Sequence, residues 1–354
     1  MRFHPALSSH TLRWRLRLHS LSLALVAPLG TLPTVAVAAE VFQFPTANRA
    51  LLDPAGEERF FVGTVNRTWV SGAFGCVRSD GWQFHEGLDI RSLQRDRRGE
   101  PTDPVCATLS GTVTYINQRQ ALSNFGKYII LRHSVDGVDL YSVYAHLSEI
   151  RSGLQPGQAI KGGDPIGVMG RTANTREGIS KERAHVHFEL NLLLNERFAE
   201  WHRKYRAGQR NDHGAWNGQN LVGIDPRDVL WASAHQGERF NLLAYFRTRP
   251  ELCRVLVRDA NISFARRYPM LVERNPAAER EGVAGYEIAL SFNGLPLKLI
   301  PRAASEIKSK SKAQLLSVDA SEYQRAHCGK VVTRKGSGWA LSTRGEDLLS
   351  LLAF

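Results

Sequence analysis

Residues 184–190 read Ala184-His185-Val186-His187-Phe188-Glu189-Leu190. In an extended strand successive side chains point to opposite faces. His185, His187 and Glu189 therefore share one face, and Val186, Phe188 and Leu190 share the other. The apolar face can seal a core while two imidazoles project into a groove. Two histidines at i and i+2 on a half-buried strand are hard to explain as packing.

Upstream of this segment the chain reads as short strands and frequent turns from Gly72 onward. Thr108–Ile116, Lys127–His133 and Val138–Leu147 are rich in Val, Ile, Thr and Tyr. Asp136-Gly137 between the last two is a hairpin signal, because a two-residue type I′ turn needs positive φ at both positions. Glycines at 153, 157, 162, 163, 167 and 170 punctuate the next stretch in the manner of a tight meander. These features predict an all-β core built on an antiparallel sheet, preceded by a lead over 40–70 that has no clear period. Residues 191–213 change character and predict a surface helix inserted near 191–220. Leu221–Trp231 closes this first domain, which spans 40–235. A smaller, β-rich domain is expected over 236–354, where Tyr286–Phe292, Asn293-Gly294 and Leu295–Ile300 form a second hairpin pattern.

The 354 residues are 43% hydrophobic and 23% charged, as expected of a globular protein with a sizeable core. This excludes a disordered, collagen-like or multi-span membrane chain. The formal charge is +12. Four arginines and no acid fall in residues 1–39, and 19 basic against 12 acidic residues fall after 235. The basic character beyond residue 39 thus belongs to the last 119 residues and favours anionic partners such as envelope polymers. Residues 1–39 read as a signal peptide. Arg13, Arg15 and Arg17 precede a short apolar run, and Ala36-Val37-Ala38-Ala39 offers a small-residue cleavage site. The run is too short and interrupted to span a bilayer, no second long apolar run follows, and the mature chain is expected to be periplasmic or secreted, without a transmembrane segment. The four cysteines of such an exported chain favour disulfides. They permit three pairings, and clustering along the sequence favours Cys76–Cys106 and Cys253–Cys328.

Two further patterns join the histidine pair. His85-Glu86-Gly87-Leu88-Asp89 lacks the second histidine of the helical H-E-x-x-H motif, and Gly87 places it at a strand end or turn. Tyr144-Ala145-His146-Leu147-Ser148 puts Tyr144 and His146 on one strand face under strict alternation. Together these segments supply imidazoles and a carboxylate, a set suited to zinc. A catalytic zinc site needs about three protein ligands and an open position, so four histidines with Asp89 leave enough for an acid–base pair.

In these stretches the sequence resembles the lysostaphin-like LytM-domain zinc endopeptidases that cut peptidoglycan cross-bridges. The resemblance rests on GAFGCVRSDGWQFHEGLDI (72–90), YAHLS (144–148), LQPGQAIKGGDPIGVMG (154–170) and HVHFEL (185–190), and covers about 62–231. It implies a compact antiparallel sheet of the duplicated-hybrid-motif type with a long open groove. It further implies that His85, Asp89 and His187 hold Zn2+, that His146 and His185 are the catalytic pair, and that Tyr144 lines the groove. The implied function is zinc-dependent hydrolysis of cross-links or stem peptides of peptidoglycan. The alternative is a non-catalytic LytM-type activator of a cell-wall amidase, a class that typically lacks ligands which are all present here. A nucleic-acid binder is disfavoured, because the basic tail lacks aromatic-basic interleaving.

Overall fold

The strand predicted from the alternation is central in a computed structural model that describes residues 40–175, 178–326, 328–329 and 331–354. It runs from His185 to Leu193 and is buried along its whole length. Val186, Phe188, Leu190 and Leu192 enter the main hydrophobic core. On one side it pairs antiparallel with Val138–Leu147. Its other side is shared by two strands, Leu88–Arg91 and Leu221–Ile224. The sheet then continues through Lys127–Val135 and Gly111–Asn117 to Ala159–Ile160. It is therefore antiparallel throughout, as expected.

The predicted hairpin turn forms at Asp136-Gly137. Both residues have positive φ (50° and 78°), and Val135 pairs with Val138 across the turn. The second hairpin pattern also folds as a hairpin, Gly285–Leu290 against Pro296–Arg302, with Gly294 at φ 92° in the loop. These two strands belong to a four-stranded antiparallel sheet with Cys253–Val257 and Ala313–Val318. The described residues fall within one compact unit, Ala39–Phe354, and the main core contains side chains from Phe42 to Leu352. Among the described residues no helix is long and apolar enough to cross a membrane. The expected signal peptide over 1–39 lies outside the described residues.

Three expectations are corrected. Asn191–Leu193 extend the histidine strand, and the helix in the insertion is only Phe198–Tyr205. Phe198, Trp201 and His202 on that helix are buried, so it is a packing element rather than a free surface helix. Tyr144 is not a groove residue. It is fully buried, and its hydroxyl accepts a hydrogen bond from the Thr108 backbone N–H (2.8 Å) and one from Ser142 Oγ (3.0 Å). Strict alternation failed because the strand bulges. Lys127 pairs with Leu147 but Ile129 pairs with Tyr144, which leaves one extra residue on the second strand. His146 takes it up at φ 63°, a left-handed conformation that is uncommon for a non-glycine residue. Tyr144 and Leu147 then both face the core while His146 turns to the opposite side.

The cysteine pairing also differs. Cys76 is bonded to Cys328, with Cα atoms 5.4 Å apart, and Cys106 and Cys253 are free thiols. Nearness in sequence misled because the fold brings the strand Gly75–Arg78 to the carboxy-terminal region. Cys253 alternates with Arg254 and points into the core beside Val255 and Val257. Burial pushes its thiol up to about 12, which makes it unreactive near neutral pH. Non-reduced peptide mapping should recover a Cys76–Cys328 cross-linked peptide, with Cys253 alkylated only after unfolding. Cys76→Ser should lower unfolding stability by about 2–4 kcal/mol. Recovery of Cys76–Cys106 would overturn this arrangement.

Candidate metal centre

Strand register explains how residues far apart in sequence meet. On the edge shared with Leu88–Arg91, His187 stands directly opposite Asp89, and opposed residues point to the same face. His85 ends the short strand Gln83–His85, and the chain turns through Gly87 into Leu88. A Cβ on Gly87 would lie 2.4 Å from the Phe188 carbonyl oxygen, so only glycine lets this turn lie flat on the histidine strand. His85, Asp89 and His187 are buried and form one cluster.

Their facing atoms make a tight triangle. His85 Nε2 is 3.1 Å from His187 Nδ1 and 3.2 Å from Asp89 Oδ1, and His187 Nδ1 is 3.0 Å from Asp89 Oδ1. Zinc with tetrahedral bonds of about 2.0–2.1 Å would hold its ligand atoms ~3.3 Å apart. The donor set and the spacing both fit.

The second nitrogen of each ring is engaged elsewhere. His85 Nδ1 lies 2.8 Å from the Ala73 carbonyl oxygen, and His187 Nε2 lies 2.7 Å from Glu189 Oε1. With a proton held at that outer nitrogen, the inner nitrogen of each ring can give its lone pair to a metal in the triangle. Glu189 is itself held by Asn191 Nδ2 at 2.8 Å. The same arrangement recurs in the other two histidines. His185 Nδ1 donates to the Arg183 carbonyl (2.6 Å) and His146 Nδ1 to the Thr172 carbonyl (2.9 Å). Their rings lie 4.8 Å apart beside the triangle, and His185 Nε2 is 3.4 Å from Asp89 Oδ1. The structure thus brings together all five residues expected at the site.

Electrostatics follow from burial and crowding. Burial favours neutral Asp89, but the imidazoles of His185 and His85 and hydrogen bonds from His187 and His85 hold it well below the usual carboxylate range. Burial also disfavours charged His187, yet hydrogen bonds to Asp89 and Glu189 push it up to about 9. The triangle therefore has a strong demand for positive charge. His146 is driven well below its ordinary value, by burial first and then by His185 and His187, and burial likewise lowers His185. Both remain neutral at pH 7 and can accept a proton.

Sequence reading missed several neighbours. Arg78 Nη2 lies 2.6 Å from Asp89 Oδ2 and 2.8 Å from His85 Nε2, so a cationic side chain flanks the triangle. No spacing signal marked it, because it reaches the site from a separate ribbon, Gly75–Arg78 paired with Gln83–His85. His213, read as a surface or packing residue, meets Tyr128 Oη at 2.5 Å and lines the groove with Trp216. The groove is a cleft of about 920 Å³ with the five site residues in its floor. The insertion forms one wall, and Ala173–Thr175 with Gly178 and Ile179 form another.

Residues 83–198, a stretch that carries all five site residues, match the model of peptidase family M23. Among solved structures, the chain is similar to a putative glycyl-glycine endopeptidase LytM from Ruminococcus gnavus. The two share 24% identity over 43% of this chain and 47% of that one, with a TM-score of 0.28. It is also similar to the catalytic domain of lysostaphin from Staphylococcus simulans, with 25% identity over 34% of this chain and 74% of that one and a TM-score of 0.24. A zinc-containing peptidase from Vibrio cholerae gives 20% identity over 43% and 37% of the two chains and a TM-score of 0.27. This chain therefore spans about half the length of the Ruminococcus protein. No curated protein matches it.

Metal analysis should find one ion per chain, and His85→Ala, Asp89→Ala and His187→Ala should each deplete it. Glu189→Gln should weaken zinc binding by about 10–100-fold through loss of the carboxylate on His187. Unchanged metal content in all three alanine variants would remove the triangle as the binding site.

Proposed function

We propose that this protein is a zinc-dependent endopeptidase acting on the peptide cross-links or stem peptides of bacterial peptidoglycan. The observation that carries this reading is the triangle of His85, Asp89 and His187 ligand atoms, flanked by two neutral histidines, in the floor of the cleft. Zinc held there would supply Lewis-acid polarisation of the scissile carbonyl and acidify water to a pKa of about 7. The groove is open enough for an extended peptide chain to cross the floor.

His146 and His185 divide the proton work. Each has its Nδ1 tethered to a backbone carbonyl, which fixes the tautomer and leaves Nε2 as the working atom. One accepts a proton from the attacking water, and the other stabilises the developing oxyanion or delivers a proton to the leaving amine. The left-handed backbone at His146 is consistent with this, since such conformations concentrate at functional sites. Export to the periplasm or cell exterior places the enzyme where its substrate is.

The carboxy-terminal charge supports a second part of the proposal, binding to anionic envelope polymers. Many of its arginines are internally paired, for example Arg254 with Glu251 and Glu287, and Arg302 with Glu287 and Glu306. Lys308, Lys310 and Lys312 make no ion pair with any described residue and recur every second position in one loop.

Digestion of purified sacculi, with mass spectrometry of the released muropeptides, tests the enzymatic reading. His146→Ala and His185→Ala should keep their metal but lose hydrolysis by roughly 10²-fold or more. Loss of metal from either variant would make that residue a ligand instead. A metal-loaded protein that releases no muropeptide yet stimulates an amidase would establish the activator reading. Sacculus binding should weaken between low salt and several times ~0.1 M, where the screening length is about 10 Å, and Lys308, Lys310 and Lys312 changed together to Gln should flatten that dependence. A salt dependence identical to wild type would exclude those lysines as the contact.

A further inference from the structure

The metal groove does not end at the insertion. A second cleft of about 560 Å³ opens beside it, and the two share Phe84, Glu86, Gly218 and Leu221 in their walls. Its far wall is the last helix of the chain, Thr343–Leu352, which contributes Arg344, Asp347, Leu348 and Leu351. This wall is fixed in place. Arg206, just beyond the insertion helix, is paired with Asp347. Trp201 Nε1 donates to Ser350 Oγ at 2.9 Å, and Asn195 Nδ2 donates to the Leu351 carbonyl at 2.7 Å. Cys76–Cys328 ties the same region to the ribbon that carries Arg78.

Two charges in this cleft have no such engagement. Glu86 directly follows His85 and lies where the two clefts join. Arg344 lies in the second cleft and is exposed. Each acts on the other through its field, but neither makes a hydrogen bond or ion pair with a described residue. Asp347, the acid of this helix that lines the cleft, is already paired with Arg206. The cleft therefore presents a guanidinium and, nearer the metal triangle, a carboxylate, neither of them engaged by a described residue.

Resting on the peptidase reading above, we propose that the second cleft receives an arm of the peptide substrate that ends in a carboxylate, and that Arg344 binds this carboxylate. The guanidinium fork matches a carboxylate in two parallel hydrogen bonds. Glu86 at the junction disfavours a carboxylate held close to the scissile bond and admits an amide or ammonium group there. The arm is thereby oriented with its negative end away from the metal. On this account the carboxy-terminal residues form part of the substrate site and set which branched peptides fit.

The test uses two synthetic cross-linked peptides, identical except that the arm carries a free carboxylate in one and a carboxamide in the other. The wild-type protein should favour the carboxylate peptide in kcat/KM by roughly tenfold or more, the scale of one charge-assisted hydrogen bond. In Arg344→Ala the rate on the carboxylate peptide should fall to the level of the carboxamide peptide, and Arg344→Glu should reverse the preference. The Arg344 side chain makes no hydrogen bond or ion pair with a described residue, so thermal unfolding of these variants should match wild type. Calorimetric titration of both peptides into His185→Ala, with and without Arg344→Ala, reads binding apart from hydrolysis. An equal rate on both peptides in wild type, or a preference that survives Arg344→Ala, overturns the inference. If wild type cleaves neither peptide, the peptidase reading fails, and equal binding of the two peptides in the titration overturns the role of Arg344 independently.

Discussion

The site depends on one strand with two incompatible faces. His185–Leu193 sends Val186, Phe188, Leu190 and Leu192 into the main core and His185, His187 and Glu189 into the groove floor. A slip of one residue would exchange the two sets, burying imidazoles among aliphatic side chains. The core thus holds the register, and the register holds the chemistry. It also sets His187 opposite Asp89, so two ligands are positioned by backbone pairing before any metal arrives.

Around that strand, each histidine is fixed by a partner at its far nitrogen. Three partners are backbone carbonyls, of Ala73, Arg183 and Thr172, and one is the Glu189 carboxylate. The Ala73 carbonyl comes from the loop before Gly75–Arg78, and those of Thr172 and Arg183 from the connection that leads into His185–Leu193, so the imidazoles are oriented by loops as well as by the sheet. This arrangement costs buried polar groups, and each is satisfied by a hydrogen bond as such groups must be. The bulge at His146 is one of several breaks in regular pairing, and it is the one that serves the site. It delivers a fourth imidazole to the groove without disturbing Tyr144 and Leu147 in the core.

Much of this was legible in the sequence because period two is a strong signal. The alternation at 184–190 gave the correct faces, and Asp136-Gly137 gave the correct hairpin. Tyr144 was misplaced because alternation assumes a regular strand, and an extra residue with positive φ at His146 is invisible in residue type. The disulfide was misread because proximity along the chain says little about a contact between residues 252 positions apart. Arg78 and His213 could not be found from spacing, since each reaches the groove from an element whose placement is set by tertiary packing. Of the surface helix expected within 191–213 only Phe198–Tyr205 is helical, and its buried face packs on the last helix, a contact that no local pattern encodes.

X-ray absorption at the zinc edge of the purified, zinc-loaded protein tests the central claim most directly. The account predicts a first shell of nitrogen and oxygen only, at about 2.0–2.2 Å, with imidazole scattering from two histidines. In His187→Ala one imidazole contribution should disappear. A sulfur shell at about 2.3 Å, or a first shell unaffected by His187→Ala, would contradict it.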